Sequence, residues 1–130
     1  MICIDSDCII DFLKGKPEAV EIVGRYKDFI LTTEINVFEV YFGVYQKENI
    51  SDKEEGLVSQ LFSKMKILSF DVECGKRGAK LLTSLIKKGK TIGQNDSMII
   101  AILQKNGVEE IITRNNKHFS LVSGVKVISY

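Results

Sequence analysis

The chain lacks the apolar runs of a membrane protein and the cysteine pattern of a secreted one. No stretch approaches the roughly 18 consecutive apolar residues that a membrane helix needs. The first residues show no basic segment followed by an apolar one, so we expect no signal peptide. Cys3, Cys8 and Cys74 are odd in number and irregularly spaced, which argues against a disulfide framework or a zinc site. We expect them to be core residues of a cytoplasmic, reduced protein.

The chain also lacks an excess of either charge. It has 18 basic and 17 acidic residues, and its formal net charge is +1. This balance argues against a generic basic nucleic-acid binder and against an acidic disordered chain. A local basic patch can still bind nucleic acid. The length of 130 residues and a hydrophobic content of 45% predict one domain over residues 1–130 with a substantial core.

Short apolar strands alternate with helices along the whole chain. Strands are predicted at 2–4, 29–33, 66–70, 110–113 and 125–129. Helices are predicted at 6–14, 17–27, 34–47, 52–64, 72–88 and 95–106, with a short helical turn within 116–122. The alternation predicts an α/β fold with a parallel sheet covered by helices on both faces. The active site of such a sheet lies beyond the carboxyl ends of the strands, where the strand order switches.

Three carboxylates stand out against this pattern. Asp5 ends the first strand, "ICID", and Asp96 opens the helix in "GQNDSMIIAIL". Glu39 is the only charged residue in "INVFEVYFGVYQ", a helix that is apolar nearly all round and therefore expected to be mostly buried. A buried carboxylate is costly unless it is paired or binds a metal ion.

Each carboxylate also has a plainer interpretation. Asp5 can cap the first helix, Asn95 or Asp96 can cap the later one, and Glu39 can face a strip of solvent. An α/β fold, however, brings all three carboxylates to the same edge of the sheet, where their charges repel one another. A hard divalent cation such as Mg²⁺ or Mn²⁺ would stabilise such a cluster. The residues thus predict a shared metal site.

In their order, these segments resemble the successive blocks of a PIN domain. The blocks are "ICIDSDCIIDFLKG", "TTEINVFEVYFG", "GQNDSMIIAI", "ITRNNKHF" and "VKVIS", and they extend over the whole chain. More narrowly, they resemble the VapC toxin ribonucleases of bacterial and archaeal toxin–antitoxin modules. The resemblance implies a three-layer α/β/α fold with a five-stranded parallel sheet ordered 3-2-1-4-5, in which strands one and four are neighbours.

The resemblance also implies roles for individual residues. Asp5, Glu39 and Asp96 match the family's catalytic, metal-binding acidic positions. The fourth position, which is aspartate in many members, is Asn115 here. Its amide oxygen can bind a metal ion, but it adds no charge, so whether a second ion is held stays open. Asp7 lies two residues after Asp5 at the same edge and is expected to compensate in part for the missing charge. Ser6 and Thr113 are expected to hydrogen-bond and orient the carboxylates, or else to be ordinary hydroxyls at strand ends.

The activity implied by the resemblance is metal-dependent cleavage of RNA phosphodiester bonds, with Mg²⁺ or Mn²⁺ as cofactor. A VapB-type antitoxin and a second copy of the chain are the implied partners. Arg114 and Lys117 flank Asn115 and are candidates for RNA phosphate contacts. The basic segment 76–90 is either a further RNA contact or a solvated helix face. His118 can contact a phosphate, but we expect it to pack beside its neighbour on the short helix.

Two other classes of function remain open at this point. A PIN-like module without catalysis would bind RNA or protein, although the three intact carboxylates argue against it. A phosphoacceptor receiver domain is also α/β with aspartates around Mg²⁺. For that class, "LSFDVE" offers Asp71 as acceptor, but no lysine follows the last strand.

Overall fold

Five strands form one parallel sheet. The structure is a computed structural model that describes residues 1–130. The strands are β1 (Ile2–Ile4), β2 (Ile30–Thr33), β3 (Lys66–Leu68), β4 (Glu110–Ile112) and β5 (Lys126–Ile128). Their order is β3-β2-β1-β4-β5, and every neighbouring pair is parallel. The predicted fold class and strand order are both confirmed.

Seven helices connect the strands, close to the predicted positions. They are α1 (Ser6–Leu13), α2 (Pro17–Tyr26), α3 (Glu34–Tyr45), α4 (Asp52–Ser63), α5 (Val72–Lys87), α6 (Gln94–Lys105) and α7 (Asn116–Phe119). Several begin at a side-chain cap: Thr33 accepts from the third residue of α3, and Ser51 accepts from Glu54 N, as the sequence "SDKE" predicts. None of the helices combines the length and apolarity that a membrane crossing requires.

Side chains of the central strands alternate between two core clusters, one on each face of the sheet. Cys3 and Ile111 belong to the cluster that packs against α5, α6 and α7. Ile4 and Ile112 belong to the cluster that packs against α1, α2, α3 and α4. This arrangement produces the three layers of an α/β/α fold. All three cysteines are free and buried, as expected for core residues.

The strand order switches direction between β1 and β4. The chain leaves β1 towards β2 on one side, whereas it leaves β4 towards β5 on the other. Asp5 follows β1 at this point, and its backbone N–H donates to the carbonyl of Ile112, 3.0 Å away. The carboxyl ends of β1 and β4 therefore form the crevice in which α/β folds place their ligands.

The expectation that α3 is mostly buried was wrong. Only Asn36 and Val40 of this helix are buried. Phe38 and Phe42 are 61% and 55% exposed, and their rings stack on each other with centroids 5.8 Å apart. No other element covers these two rings, so part of the apolar surface of the helix is exposed.

Replacing a fully buried side chain should lower the free energy of unfolding more than replacing an exposed one. Ile111 is fully buried under α6, so Ile111→Ala leaves a cavity and should lower the free energy of unfolding by about 2–5 kcal/mol. Ile86 is 63% exposed on α5, and Ile86→Ala should change that free energy by no more than about 0.5 kcal/mol. Urea unfolding measures both, and equal effects would contradict this description of the core.

Candidate active site

Asp5 lies at the centre of the crevice and is only 5% exposed. Its Oδ1 accepts hydrogen bonds from the amide of Asn36 and from the backbone N–H of Ser6, each at 2.9 Å. Its Oδ2 accepts from the Thr113 hydroxyl at 2.7 Å. Asp5 is also the N-cap of α1, so the capping role is compatible with its position at the crevice. All three of its partners are neutral donors.

Asn36 is a site residue that the sequence reasoning missed. It is fully buried in the first turn of α3, where its side-chain oxygen accepts from the Thr33 hydroxyl at 2.7 Å. Its amide nitrogen is thereby directed at Asp5. One signal could have found it: Asn36 precedes Glu39 by three residues and so shares its helix face in an otherwise apolar segment.

Glu39 is half-buried and joins three segments of the chain. Its Oε1 accepts from the Ser6 hydroxyl at 2.9 Å, and its Oε2 accepts from the Asn95 amide at 3.3 Å. The helices α1, α3 and α6 thus meet at this carboxylate. Ser6, predicted to orient a carboxylate, contacts Glu39 through its side chain and Asp5 through its backbone.

Asp96 does not cap α6, so that alternative was wrong. The N-cap is Gly93, which has no side chain to donate or accept. The Asp96 Oδ2 atom instead accepts from the Asn115 amide at 2.9 Å and lies 2.5 Å from His118 Nδ1. No donor of the chain contacts the side-chain oxygen of Asn115, which leaves this oxygen available as a ligand.

His118 contacts Asp96 and is not merely packed beside Phe119, which corrects the expectation for this residue. Its Nδ1 lies between the Asp96 carboxylate and the Asn115 amide, 3.1 Å from the latter. Gly93 lies next to the pair, and a Cβ built there would make ordinary van der Waals contact with Asp96 Oδ2 at 3.5 Å and with His118 Cε1 at 3.8 Å. The sequence signal for His118 was its position three residues after Asn115 on a single helical turn.

Asp7 adds a fourth carboxylate beside Asp5. Its Oδ2 accepts from the backbone N–H of Arg114 at 3.0 Å and from the Thr113 hydroxyl at 3.2 Å. Thr113 therefore bridges Asp5 and Asp7. The other oxygen, Asp7 Oδ1, is buried and has no hydrogen-bond partner.

Burial and crowding raise the pKa values of these carboxyl groups. Burial first, and then the charge of Asp7, raises the pKa of Asp5 to about 7. Burial also raises the pKa of Asp7 above its usual value. For Glu39, burial raises the pKa, and the charges of Asp96 and Asp7 add to the effect. The site thus holds more negative charge than its own donors neutralise.

The donor set has the chemistry of a site for a hard divalent cation. Its oxygens are carboxylate and amide oxygens, and Asp7 Oδ1 is a buried acceptor with no partner. The carboxylates are not gathered around one point, since no group of three His, Cys, Asp or Glu side chains is placed to hold an ion directly. Hydrogen-bond donors of the chain hold each carboxylate in its place. The residues therefore fit such an ion, because their oxygens are hard ligands and because their negative charge exceeds what their own donors neutralise.

The remaining candidates lie outside this cluster. The Arg114 side chain pairs with Asp11, at 2.9 Å, and Lys117 is exposed and forms no ion pair. Asp71, the acceptor that a receiver domain would use, caps α5 and pairs with Lys105. The strand order also differs from the order 2-1-3-4-5 of receiver domains, which excludes that class. Five lysines of the segment 76–90 form no ion pair: Lys76, Lys80, Lys87, Lys88 and Lys90.

The sequence is similar to a known protein family and to characterised proteins over nearly its whole length. The family model described as PIN domain matches residues 2–125. Ribonuclease VapC2 of Haemophilus influenzae is 24% identical over 126 residues, which cover 95% of this chain and 92% of that protein. The tRNA(fMet)-specific endonuclease VapC of Salmonella typhimurium is 22% identical over 125 residues, with coverage of 95% and 93%.

A solved structure has the same fold over its full length. The chain aligns with the crystal structure of VapBC2 from Rickettsia felis bound to a DNA fragment from its promoter, with a TM-score of 0.85. Sequence identity is 19%, and the alignment covers 100% of this chain and 99% of that one. At this identity the likeness shows a common fold.

In metal-free buffer, the stability of the protein should depend on pH through Asp5. Its pKa is about 7 in the folded state against 3.8 for a free side chain, so the folded state binds more protons between these values. The free energy of unfolding should rise as the pH falls from about 8 to about 5, by a few kcal/mol. Asp5→Asn should remove most of this rise in urea unfolding with EDTA.

The matched control for this experiment is Asp28→Asn. Asp28 is exposed in the turn between α2 and β2, and its replacement should leave the pH profile of the wild type unchanged. A profile of Asp5→Asn that coincides with the wild-type profile would show that Asp5 is not the group that takes up the proton.

Proposed function

Because the chain belongs to the PIN domain family, we propose that it is a metal-dependent endoribonuclease of the VapC type, the toxin of a VapBC-type toxin–antitoxin module. One observation carries the proposal: Asp5, Glu39, Asp96 and Asn115, from four separate segments, all lie at the switch point of the sheet. Relatives named ribonuclease and endonuclease, matched over nearly their full length, support it. The proposal includes a single PIN domain and a cytoplasmic location.

We propose that the side-chain oxygens of Asp5, Glu39, Asp96 and Asn115 surround the ion together with its water ligands, since Mg²⁺ usually keeps several waters and binds one or two carboxylates directly. Bound Mg²⁺ or Mn²⁺ would lower the pKa of a water molecule and offset charge on the phosphate oxygens. Asp5 or Asp96 would accept a proton from the attacking water, since both carboxylates lie in the crevice.

Neutral side chains of the site keep the carboxylates oriented. Thr113 and Asn36 donate to the two oxygens of Asp5, and Ser6 donates to Glu39. The contact of His118 with Asp96 has the same effect on α6. Such partners fix the direction of ligand oxygens in metal sites, so their loss is expected to weaken metal binding. Asp7 adds charge beside them.

Arg114 and Lys117 are the residues proposed to contact RNA phosphates. Arg114 directly precedes Asn115, Lys117 directly precedes His118, and both are exposed. Cations at the margin of the crevice would neutralise phosphates that the acidic centre repels.

An apolar groove is the proposed binding site of a VapB-type antitoxin. It has a volume of about 420 Å³ and lies between α1, α3 and α4. Its walls include Ile10, Leu13, Val44, Leu57 and Val58. The structural neighbour from Rickettsia felis is a VapBC complex, which supports a protein partner of this kind. An apolar segment of the partner would cover the groove.

A second copy of the chain is the other proposed partner. The stacked rings of Phe38 and Phe42 form an exposed apolar surface beside Glu39, and Tyr45 continues it at 53% exposure. Exposed apolar surface on a small domain commonly marks an interface. Sedimentation of the purified chain would establish whether it forms a homodimer.

Cleavage of RNA should require the metal and each carboxylate. Asp5→Asn, Glu39→Gln and Asp96→Asn should each slow cleavage by about 100-fold or more, because a neutral amide binds Mg²⁺ poorly and accepts no proton. EDTA should stop cleavage by the wild type, and Mn²⁺ or Mg²⁺ should restore it. Total cellular RNA, resolved by gel and mapped at its new ends, provides the measurement.

Asp28→Asn is again the control and should cleave at the wild-type rate. Cleavage that persists in excess EDTA would contradict the metal mechanism, and full activity in two of the three variants would end the proposed site. Binding of RNA without any cleavage would support the alternative, a PIN-like binding module that lacks catalysis.

A charge placed in the groove should prevent antitoxin binding. Leu57 is 47% exposed at the groove wall, so Leu57→Glu would bury an unpaired carboxylate under the partner. We expect at least about a tenfold loss of affinity for the VapB-type protein encoded beside this chain, with RNA cleavage retained. Val72→Glu, at a 91% exposed position outside the groove, is the control. Equal affinities, measured by calorimetry, would place the antitoxin elsewhere.

A further inference from the structure

A second buried carboxylate, Asp11, lies outside the acidic site and joins three distant donors. It is 2% exposed. Its Oδ1 pairs with Lys16 Nζ at 3.0 Å. Its Oδ2 accepts from Arg114 Nη2 at 2.9 Å and from the Tyr130 hydroxyl at 2.7 Å. These four residues, the Asp11 cluster, tie α1 to the segments that follow β4 and β5.

Arg114 connects this cluster to the acidic site. Its backbone N–H donates to Asp7, and it stands in the chain between Thr113 and Asn115, which contact Asp5 and Asp96. Its guanidinium carries five N–H donors, and Asp11 is the one carboxylate that it contacts. The side chain is 52% exposed, so donors remain open to solvent.

The cluster is more positive than its surroundings. One carboxylate faces two cations, Lys16 and Arg114, which leaves a net positive charge at the margin of a crevice that otherwise carries carboxylates. The Tyr130 ring lies 5.8 Å from the guanidinium carbon and limits its freedom on one side. A guanidinium held in place loses less freedom on binding a phosphate than a mobile one does.

We propose that Asp11 and Tyr130 are positioning residues, which hold the Arg114 guanidinium so that it binds an RNA phosphate beside the acidic site. This inference rests on the proposed ribonuclease function. The competing explanation is that the Asp11 cluster only fastens α1 to the end of the sheet. The two explanations make different predictions. If Asp11 and Tyr130 position Arg114, their replacement weakens RNA binding only when the Arg114 side chain is present. If they fasten α1, their replacement lowers the stability of the fold whether or not RNA is bound.

The test is a double-mutant cycle on RNA affinity. The probe is a fluorescein-labelled single-stranded RNA of mixed sequence, with binding followed by anisotropy in EDTA so that the RNA stays intact. Arg114→Ala should weaken binding about tenfold and lower the salt dependence by about one phosphate contact. Asp11→Asn should weaken binding severalfold in the wild type and have no further effect in the Arg114→Ala background.

A second variant keeps the test decisive if Asp11→Asn does not fold. Tyr130→Phe retains the ring and removes only the hydroxyl that donates to Asp11, and it should weaken RNA binding about twofold to threefold with Arg114 present and not without it. In cleavage assays with Mn²⁺, both variants should raise KM and leave kcat unchanged. Arg25→Ala removes a cation that pairs with Glu21 on α2 and is the charge control.

Three results would overturn the inference. Unchanged affinity in Arg114→Ala would remove the phosphate contact. If the losses of RNA affinity add up in the double variants, the cluster only fastens α1. The same conclusion follows if Tyr130→Phe lowers the melting temperature and leaves RNA affinity unchanged. A wild-type protein that neither binds nor cleaves RNA would instead reject the proposed function itself, and this inference with it.

Discussion

The burial of the Asp5 carboxylate between β1 and β4 is the constraint on which the rest of the site depends. The strand places this group where it is 5% exposed, and its partners are the amide of Asn36, the backbone of Ser6 and the hydroxyl of Thr113. Neutral donors satisfy the lone pairs of a carboxylate but do not cancel its charge. The neighbouring acidic groups then add to this charge, and no lysine or arginine side chain pairs with them. Buried, crowded carboxylates lower the stability of the metal-free protein, as is common at functional sites.

Asp11, on α1, is a second buried carboxylate, but its partners include cations of the chain itself. Asp5 and Asp11 are both nearly inaccessible, yet their pKa values move in opposite directions. Burial acts to raise the pKa of Asp11, but hydrogen bonds from Tyr130 and Lys16 and the charge of Arg114 outweigh it and lower that pKa. Lys16 and Arg114 therefore pair with Asp11, outside the crevice, and no lysine or arginine side chain pairs with the carboxylates of the acidic centre. This separation of charge is what the proposed site for a metal ion and a polyanion requires.

Two apolar surfaces surround this polar centre and share one helix. α3 presents Val40, Gly43 and Val44 to the groove and the ring of Phe42 to solvent, while its Glu39 reaches the crevice. A partner that covers the groove would therefore contact the helix that carries a site carboxylate.

Much of this molecule could be predicted from the chain alone, because alternating apolar segments dictate strands, helices and their layers. The positions of Asp5, Glu39 and Asp96 followed as well, since parallel strands bring their carboxyl ends to one edge. The contacts of Asn36, His118 and Tyr130 were decided only by the tertiary structure. Tyr130 and Asp11 are separated by 119 positions, and no local pattern encodes which donor will reach a given acceptor. The exposure of α3 was decided in the same way, because an apolar helix is buried only where another element covers it.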